Sequence, residues 1–202
     1  MTKSTWFGYW SGQSRLGGDV IVPLFVVVSG LPASGKSTVA AGLAEDLGLP
    51  LFDKDDYLEA LFGDTAVGNP QQRELLSRRA DAILEETAQR TVGGVLSSWW
   101  KHPKSKADSG TPVSWLTSLP GLLVEVHCVC PPEVATARFL ARTRHPGHCD
   151  ERHSEATLVS EFVEQATLGP LGVGSLVEVD SELPADRAAL ADTIRGLVGN
   201  FA

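Results

Sequence analysis

The chain of 202 residues has little cysteine and less methionine and tyrosine: three, one and two residues. Cys128, Cys130 and Cys149 are odd in number and lack the spacing of a disulfide framework, so a reducing, cytoplasmic setting is expected. No apolar run reaches the roughly 18–20 residues of a membrane span, and Met1 to Asp19 contains no apolar core of a signal peptide. Positive charge is also scarce. Seventeen Lys plus Arg against 25 Asp plus Glu give a net charge of −8, a balance that argues against nucleic acid or an anionic membrane as partner. Neither His-Arg-Asp nor Asp-Phe-Gly occurs, which excludes a protein kinase. There is no internal repeat, and oligomeric state has no signature here.

What is present is an ordinary globular composition, 43% hydrophobic and 21% charged, in a length suited to one domain. Residues 1–21 read as an irregular arm with aromatics at Trp6, Phe7, Tyr9 and Trp10. The domain then spans 22–202. Leu24 to Val28 is a continuous, largely β-branched run, as in a central parallel strand buried on both faces. Val39, Leu43 and Leu47 mark one helix face, with Gly48 as its stop. Pro50-Leu51-Phe52 is a short second strand. Asn69-Pro70 begins a helix to about Arg90, with Leu76, Ile83, Leu84 and Thr87 inward. Further strands are expected at Gly94–Ser97, Leu122–Cys128 and Leu176–Val179, and further helices at Pro131–Arg144, around Glu155–Ala166 and at the C-terminus. The alternation predicts an α/β fold: an open, five-stranded, mainly parallel sheet with helices on both faces. The long polar stretch from Lys101 to Gly121, with a short turn at Ser114–Leu119, is expected to be a functional or a disordered loop.

Gly30-Leu31-Pro32-Ala33-Ser34-Gly35-Lys36-Ser37 fits G-x-x-x-x-G-K-[ST] between a hydrophobic strand and an amphipathic helix, the context that makes it a P-loop. Residues Gly30 through Thr38 are therefore the candidate nucleotide cradle. A helix N-terminus supplies free N–H donors and a positive dipole end to phosphate. Lys36 can reach the β- and γ-oxygens, and the Ser37 hydroxyl can ligate Mg²⁺. The fold class is thus a P-loop NTPase, with ATP and Mg²⁺ as the expected cofactors.

The second strand runs into Asp53-Lys54-Asp55-Asp56-Tyr57. Ligands of open parallel sheets sit beyond the strands' carboxyl ends, so these carboxylates should share a crevice with the P-loop. A kinase acting on an alcohol needs one carboxylate to accept or orient the hydroxyl proton and another acid near the metal; Asp55 and Asp53 have that chemistry. From spacing alone, Asp55 or Asp56 is equally read as the cap of the next helix. Arg138 and Arg142 lie four apart on one helix face and Arg144 follows, a set suited to the spread charge of a transferring phosphoryl group on a small helical lid at about 138–157. The loop His145-Pro146-Gly147-His148-Cys149, with His153, matches no standard zinc spacing and reads as mobile. Trp99 and Trp100, at the sheet's carboxyl edge, are either core or candidate walls for a substrate, with base stacking beside Lys101, Lys104 and Lys106 a further option. Glu125 and His127 share one strand face, and the buried acid needs a partner, either His127 or an arginine.

These motifs resemble those of small P-loop kinases of the shikimate, gluconate and chloramphenicol phosphotransferase kind, and of the kinase domain of phage polynucleotide kinase. The likeness rests on the P-loop, the Asp53-x-Asp55 pair and the arginine-bearing lid. It implies that Asp55 binds the acceptor hydroxyl and serves as base, that Asp53 lies near the metal through water, and that Lys36, Arg138 and Arg142 act on the phosphoryl group. By position, it also implies that the turn at Asp180–Pro184 runs along the adenine. One departure is that the third strand ends Val95-Leu96-Ser97-Ser98, without an acidic Walker-B residue. The function so implied is transfer of the γ-phosphate of ATP to a hydroxyl of a small molecule. Two alternatives stay open: a polynucleotide 5′-hydroxyl kinase, and a non-catalytic nucleotide switch in which Asp55 is only a cap.

Overall fold

The computed structural model describes residues 22–63, 69–150, 154–183 and 186–199. The aromatic arm expected at 1–21, His153 and Pro184 lie outside the described residues. Five parallel strands, β1 (Leu24–Gly30), β2 (Leu51–Asp53), β3 (Gly93–Ser97), β4 (Leu122–Val129) and β5 (Ser175–Asp180), stand in the order β2-β3-β1-β4-β5. Six helices connect or flank them: α1 (Lys36–Leu47), α2 (Lys54–Phe62), α3 (Pro70–Gln89), α4 (Pro132–Ala141), α5 (Glu155–Leu168) and α6 (Arg187–Gly199). The expected open parallel α/β sheet is therefore the observed one.

Alternation along the buried strands builds two cores. Val26, Val28, Val95, Val124 and Val126 face α1 and α6, where Leu43 and Ile194 meet them. Phe25, Val27 and Leu96 face the other way, onto Leu84 and Ala88 of α3 and the Trp100 and Trp115 rings. Each fully buried side chain of this size contributes about 1.5–3 kcal/mol, so the central strand is fixed from both sides. Asn69 caps α3 by accepting from Gln72 N–H at 2.8 Å, with Pro70 behind it, as its sequence requires.

Three expectations are corrected. The fourth helix ends at Ala141, not at Arg144, because Arg142 turns extended (φ −76°, ψ 147°) and its guanidinium reaches Asp150. On α3 the buried stripe is Ala80, Asp81, Leu84 and Ala88, while Leu76, Ile83 and Thr87 are only partly covered. Glu125 takes neither His127 nor an arginine as its main partner. It accepts from Ser29 Oγ at 2.6 Å and from the backbone N–H groups of Leu171, Gly172 and Val173 at 2.8, 2.9 and 3.3 Å. That buried carboxylate thereby fixes the segment entering β5.

Candidate active site

The sheet's carboxyl edge opens into a cleft of about 760 Å³. The P-loop forms one wall. Gly30 (φ 131°) and Gly35 (φ 90°) lie where side chains are disfavoured, and a Cβ on Gly30 would come within 2.5 Å of the Cys128 carbonyl oxygen. Pro32, Ala33, Gly35, Lys36, Ser37 and Thr38 line the cleft, with Gly30 and Leu31 behind them. Lys36 donates to the Leu31 carbonyl. Burial lowers its pKa to about 8, against the raising influence of Cys128, Asp55 and Asp53. Ser34 Oγ is buried without a hydrogen-bond partner among the described residues.

The second wall starts at the end of β2. Asp53, not Asp55 or Asp56, is the N-cap of α2: its Oδ1 accepts from Asp55 N–H at 3.0 Å. Its Oδ2 accepts from Ser37 Oγ at 2.9 Å, which ties the acidic segment to the P-loop. Burial raises the Asp53 pKa, opposed by the hydrogen bonds from the Asp55 backbone, Ser37 and Ser97. Ser97 stands beside Asp53 in the β2–β3 register, so the place of the missing Walker-B acid is held by a hydroxyl. With capping done by Asp53, the Asp55 carboxylate is free to face the cleft, where it pairs with Arg144.

The arginines expected on the lid also line the cleft. Arg142 donates to Asp150 Oδ2 through Nε at 3.2 Å and Nη2 at 3.0 Å, and its guanidinium lies 4.0 Å over the Phe139 ring. Arg144 spans Asp55 and, at 3.7 Å, Asp150. Arg138 turns to the other end of the cleft and donates to the Ser181 carbonyl at 3.2 Å. Arg142 and Arg144 are thus brought together by one acid, while Arg138 is held apart from them. The loop expected to be mobile is docked on α2: the His145 ring stacks on Phe62 at 5.0 Å and His148 Nε2 meets Glu59 at 2.9 Å. Among the described residues no three metal-ligating His, Cys, Asp or Glu converge.

The two tryptophans part. Trp99 is 37% exposed and lines the cleft. Trp100 is a core residue with respect to this cleft, 5% exposed, because successive residues of an extended chain point to opposite sides. It donates its indole N–H to Val28 O at 2.8 Å and packs against Trp115.

Sequence reasoning passed over the support beneath the site. Lys54 is buried against Asp81 at 2.6 Å and Ser77 at 3.0 Å, and Asp81 accepts from Thr111 at 2.7 Å. A charged residue at Asp81, on the Ala80–Leu84–Ala88 stripe, was the legible signal, since a buried acid requires a partner. Asp150, which holds two lid arginines, and Arg73, which donates through Nε to the His148 carbonyl, were missed as well.

Residues 25–160 match the family model of the AAA domain. The chain belongs to that family. Within it, a stretch of 79 residues is 33% identical to a shikimate kinase of Chlamydia pneumoniae, and spans 34% of this chain and 45% of that protein. The fold is shared with a kinase candidate from Chloroflexus aurantiacus (TM-score 0.70, 24% identical, 87% of this chain and 98% of the other). It is shared also with a gluconokinase from Sinorhizobium meliloti 1021 (TM-score 0.54, 22% identical, 89% and 96% covered). A further neighbour is a shikimate kinase from Bacteroides thetaiotaomicron (TM-score 0.53, 17% identical, 88% and 98% covered). The sheet order, P-loop and helices of this family member are therefore those of a P-loop NTPase built like the small-molecule kinases.

Proposed function

We propose that the protein is an ATP- and Mg²⁺-dependent kinase that moves the γ-phosphoryl group to a hydroxyl of a small molecule. The observation that carries this reading is the division of labour between Asp53 and Asp55. Asp53 caps α2 and accepts from the P-loop serine, so Asp55 is left in the cleft with no capping duty and an arginine on its carboxylate. A nucleotide switch needs no acceptor pocket and leaves Asp55 only the part of a helix cap, a part that Asp53 takes.

The residues fit the cofactors. The P-loop N–H groups and the buried, unpartnered Ser34 hydroxyl suit phosphate oxygens. The hard oxygen donors Ser37 and Asp53 suit Mg²⁺, which keeps several waters and substrate oxygens and needs no larger protein cage. Bound there, the ion would supply charge neutralisation at the phosphates. Lys36 would hold the β- and γ-oxygens, Arg142 and Arg144 would meet the transferring group, and Asp55 would orient the acceptor hydroxyl and take its proton. Arg138, which donates to the Ser181 carbonyl, would meet the nucleotide if the turn after β5 runs along the adenine. The net charge of −8 favours a small acceptor over a polynucleotide.

The test is ADP release with a panel of sugars, aryl alcohols, nucleosides and oligonucleotides, followed by Asp55→Asn on the active acceptor. The variant should bind Mg·ATP as before and lose about 10²–10⁴-fold in kcat. Wild-type turnover by Asp55→Asn would remove the base and the reading with it.

A further inference from the structure

A second cavity, of about 730 Å³, lies between the ends of β1 and β4, the segment after β3, and α5. That volume is ample for a small organic ligand. The phosphate chemistry above makes no use of it, yet it shares a rim with the P-loop cleft at Pro70, Arg73, Trp99, Ser109 and Glu161.

Its floor carries a chain of hydrogen bonds with a definite direction. Both carboxylate oxygens of Glu125 accept backbone N–H protons from the segment 171–173, so Glu125 is the acceptor toward Ser29 as well. The Ser29 hydroxyl, 2.6 Å away, therefore spends its one proton on Glu125. Ser29 Oγ has only lone pairs left for His127 Nδ1 at 2.8 Å, so Nδ1 carries the ring proton. A neutral imidazole has a single N–H, hence His127 Nε2 keeps a free lone pair. Burial holds the His127 pKa below its ordinary value and keeps the ring neutral. Among the described residues nothing hydrogen-bonds to Nε2, and the ring, 16% exposed, lines the cavity.

The other two histidines of the lining are occupied. His102 accepts from Lys104 N–H at Nδ1 and donates to the Pro170 carbonyl from Nε2, both at 3.0 Å. His148 has Nε2 on Glu59 and its Nδ1 sealed from solvent. Apolar surface beside them comes from the Trp99 indole, whose N–H donates to Gln165 at 3.3 Å, with Leu168, Leu171 and the buried thiols. Arg73 and Lys101 offset Glu161 and Glu164, so the lining as a whole selects for no charge.

We infer that this cavity holds the body of the phosphoryl acceptor: a neutral alcohol with a flat apolar or aromatic portion against Trp99 and an N–H or O–H group that donates to His127 Nε2. The word acceptor rests on the kinase reading; the ligand chemistry does not. Glu125 and Ser29 are then positioning residues that set the tautomer, and His127 is the residue that reads the ligand's donor.

The test uses the full chain without nucleotide. Imidazole nitrogen shifts in histidine-labelled protein should report the Nδ1–H tautomer of His127, and Ser29→Ala should lose that preference. Para-aminobenzyl methyl ether and its N,N-dimethyl analogue, in which the amine is the one group that can donate, are then titrated and read on the His127 and Trp99 resonances. The donor-bearing probe should bind about tenfold tighter than its analogue, a difference that His127→Phe abolishes, whereas Trp99→Ala weakens both. An Nε2–H tautomer, equal affinities of the two probes (no binding by either included), or a preference that survives His127→Phe overturns the inference. No phosphoryl transfer enters these titrations. A donor preference together with ADP release from no acceptor would therefore overturn the kinase reading and leave the cavity's chemistry standing.

Discussion

Lys36 shows how one residue's surroundings become a measurable property. Its ammonium is buried at the mouth of α1, and burial brings the pKa from 10.5 to about 8. Between those values the unfolded chain holds the proton and the folded chain does not, so this group makes stability rise with pH across that window. Nucleotide binding has the opposite sign, because phosphate oxygens favour the charged form. We expect Mg·ATP binding at pH 8 to take up about half a proton, and affinity to fall as pH climbs above that point. Calorimetry in two buffers of different ionisation heat reads the uptake directly; identical heats at pH 8 would refute it. The position of Lys36 was legible because the motif fixes it, but its pKa was not. That value depends on burial first and then on Cys128, Asp55 and Asp53, which the fold brings near from two other places in the chain.

At the scale of elements, the segment after α4 is held by a few polar contacts. Asp150 pairs with both Arg142 and Arg144, and His145 and His148 clamp the loop to Phe62 and Glu59 on α2. Asp150→Ala should leave both guanidiniums without their common anchor. A misplacement of about 1 Å can cost about 10²-fold, so kcat should fall by that order while Mg·ATP affinity changes little. Steady-state kinetics beside calorimetry makes the comparison, and an unchanged kcat would show that Asp150 positions nothing. Hydrogen exchange adds a second check: residues 142–150 should gain protection when an ATP analogue and acceptor are bound, and equal protection would argue against closure. The cluster of arginines was plain in the sequence. That α4 stops at Ala141 was not, since the stop comes from an ion pair with a residue eight positions on, and no glycine or proline marks it.

For the molecule as a whole, the buried Lys54–Asp81 pair joins α2 to α3 under the cleft, with Ser77 accepting from Lys54 and Thr111 donating to Asp81 Oδ1. Asp81→Ala strands the Lys54 charge, whose pKa burial already lowers, and should cost about 3 kcal/mol, or about 6–12 °C in Tm. The double change Lys54→Met with Asp81→Leu should recover most of that loss, because a packed apolar pair needs no desolvated charge. Thermal unfolding decides it, and an Asp81→Ala protein as stable as the wild type would show the pair to be ornamental. By itself the sequence determined the elements and the phosphate cradle, because hydrophobic period and the P-loop spacing act over neighbouring residues. It left Asp55 divided between cap and base, Glu125 without its true partners, and Trp99 level with Trp100. Tertiary structure alone decided the cap, which Asp53 took, the partners of Glu125, which the 171–173 segment supplies, and the two indoles, one turned to the cleft and the other to the core. The physical reason is that a carboxylate or a ring has no role until the fold decides which donors, charges and surfaces surround it.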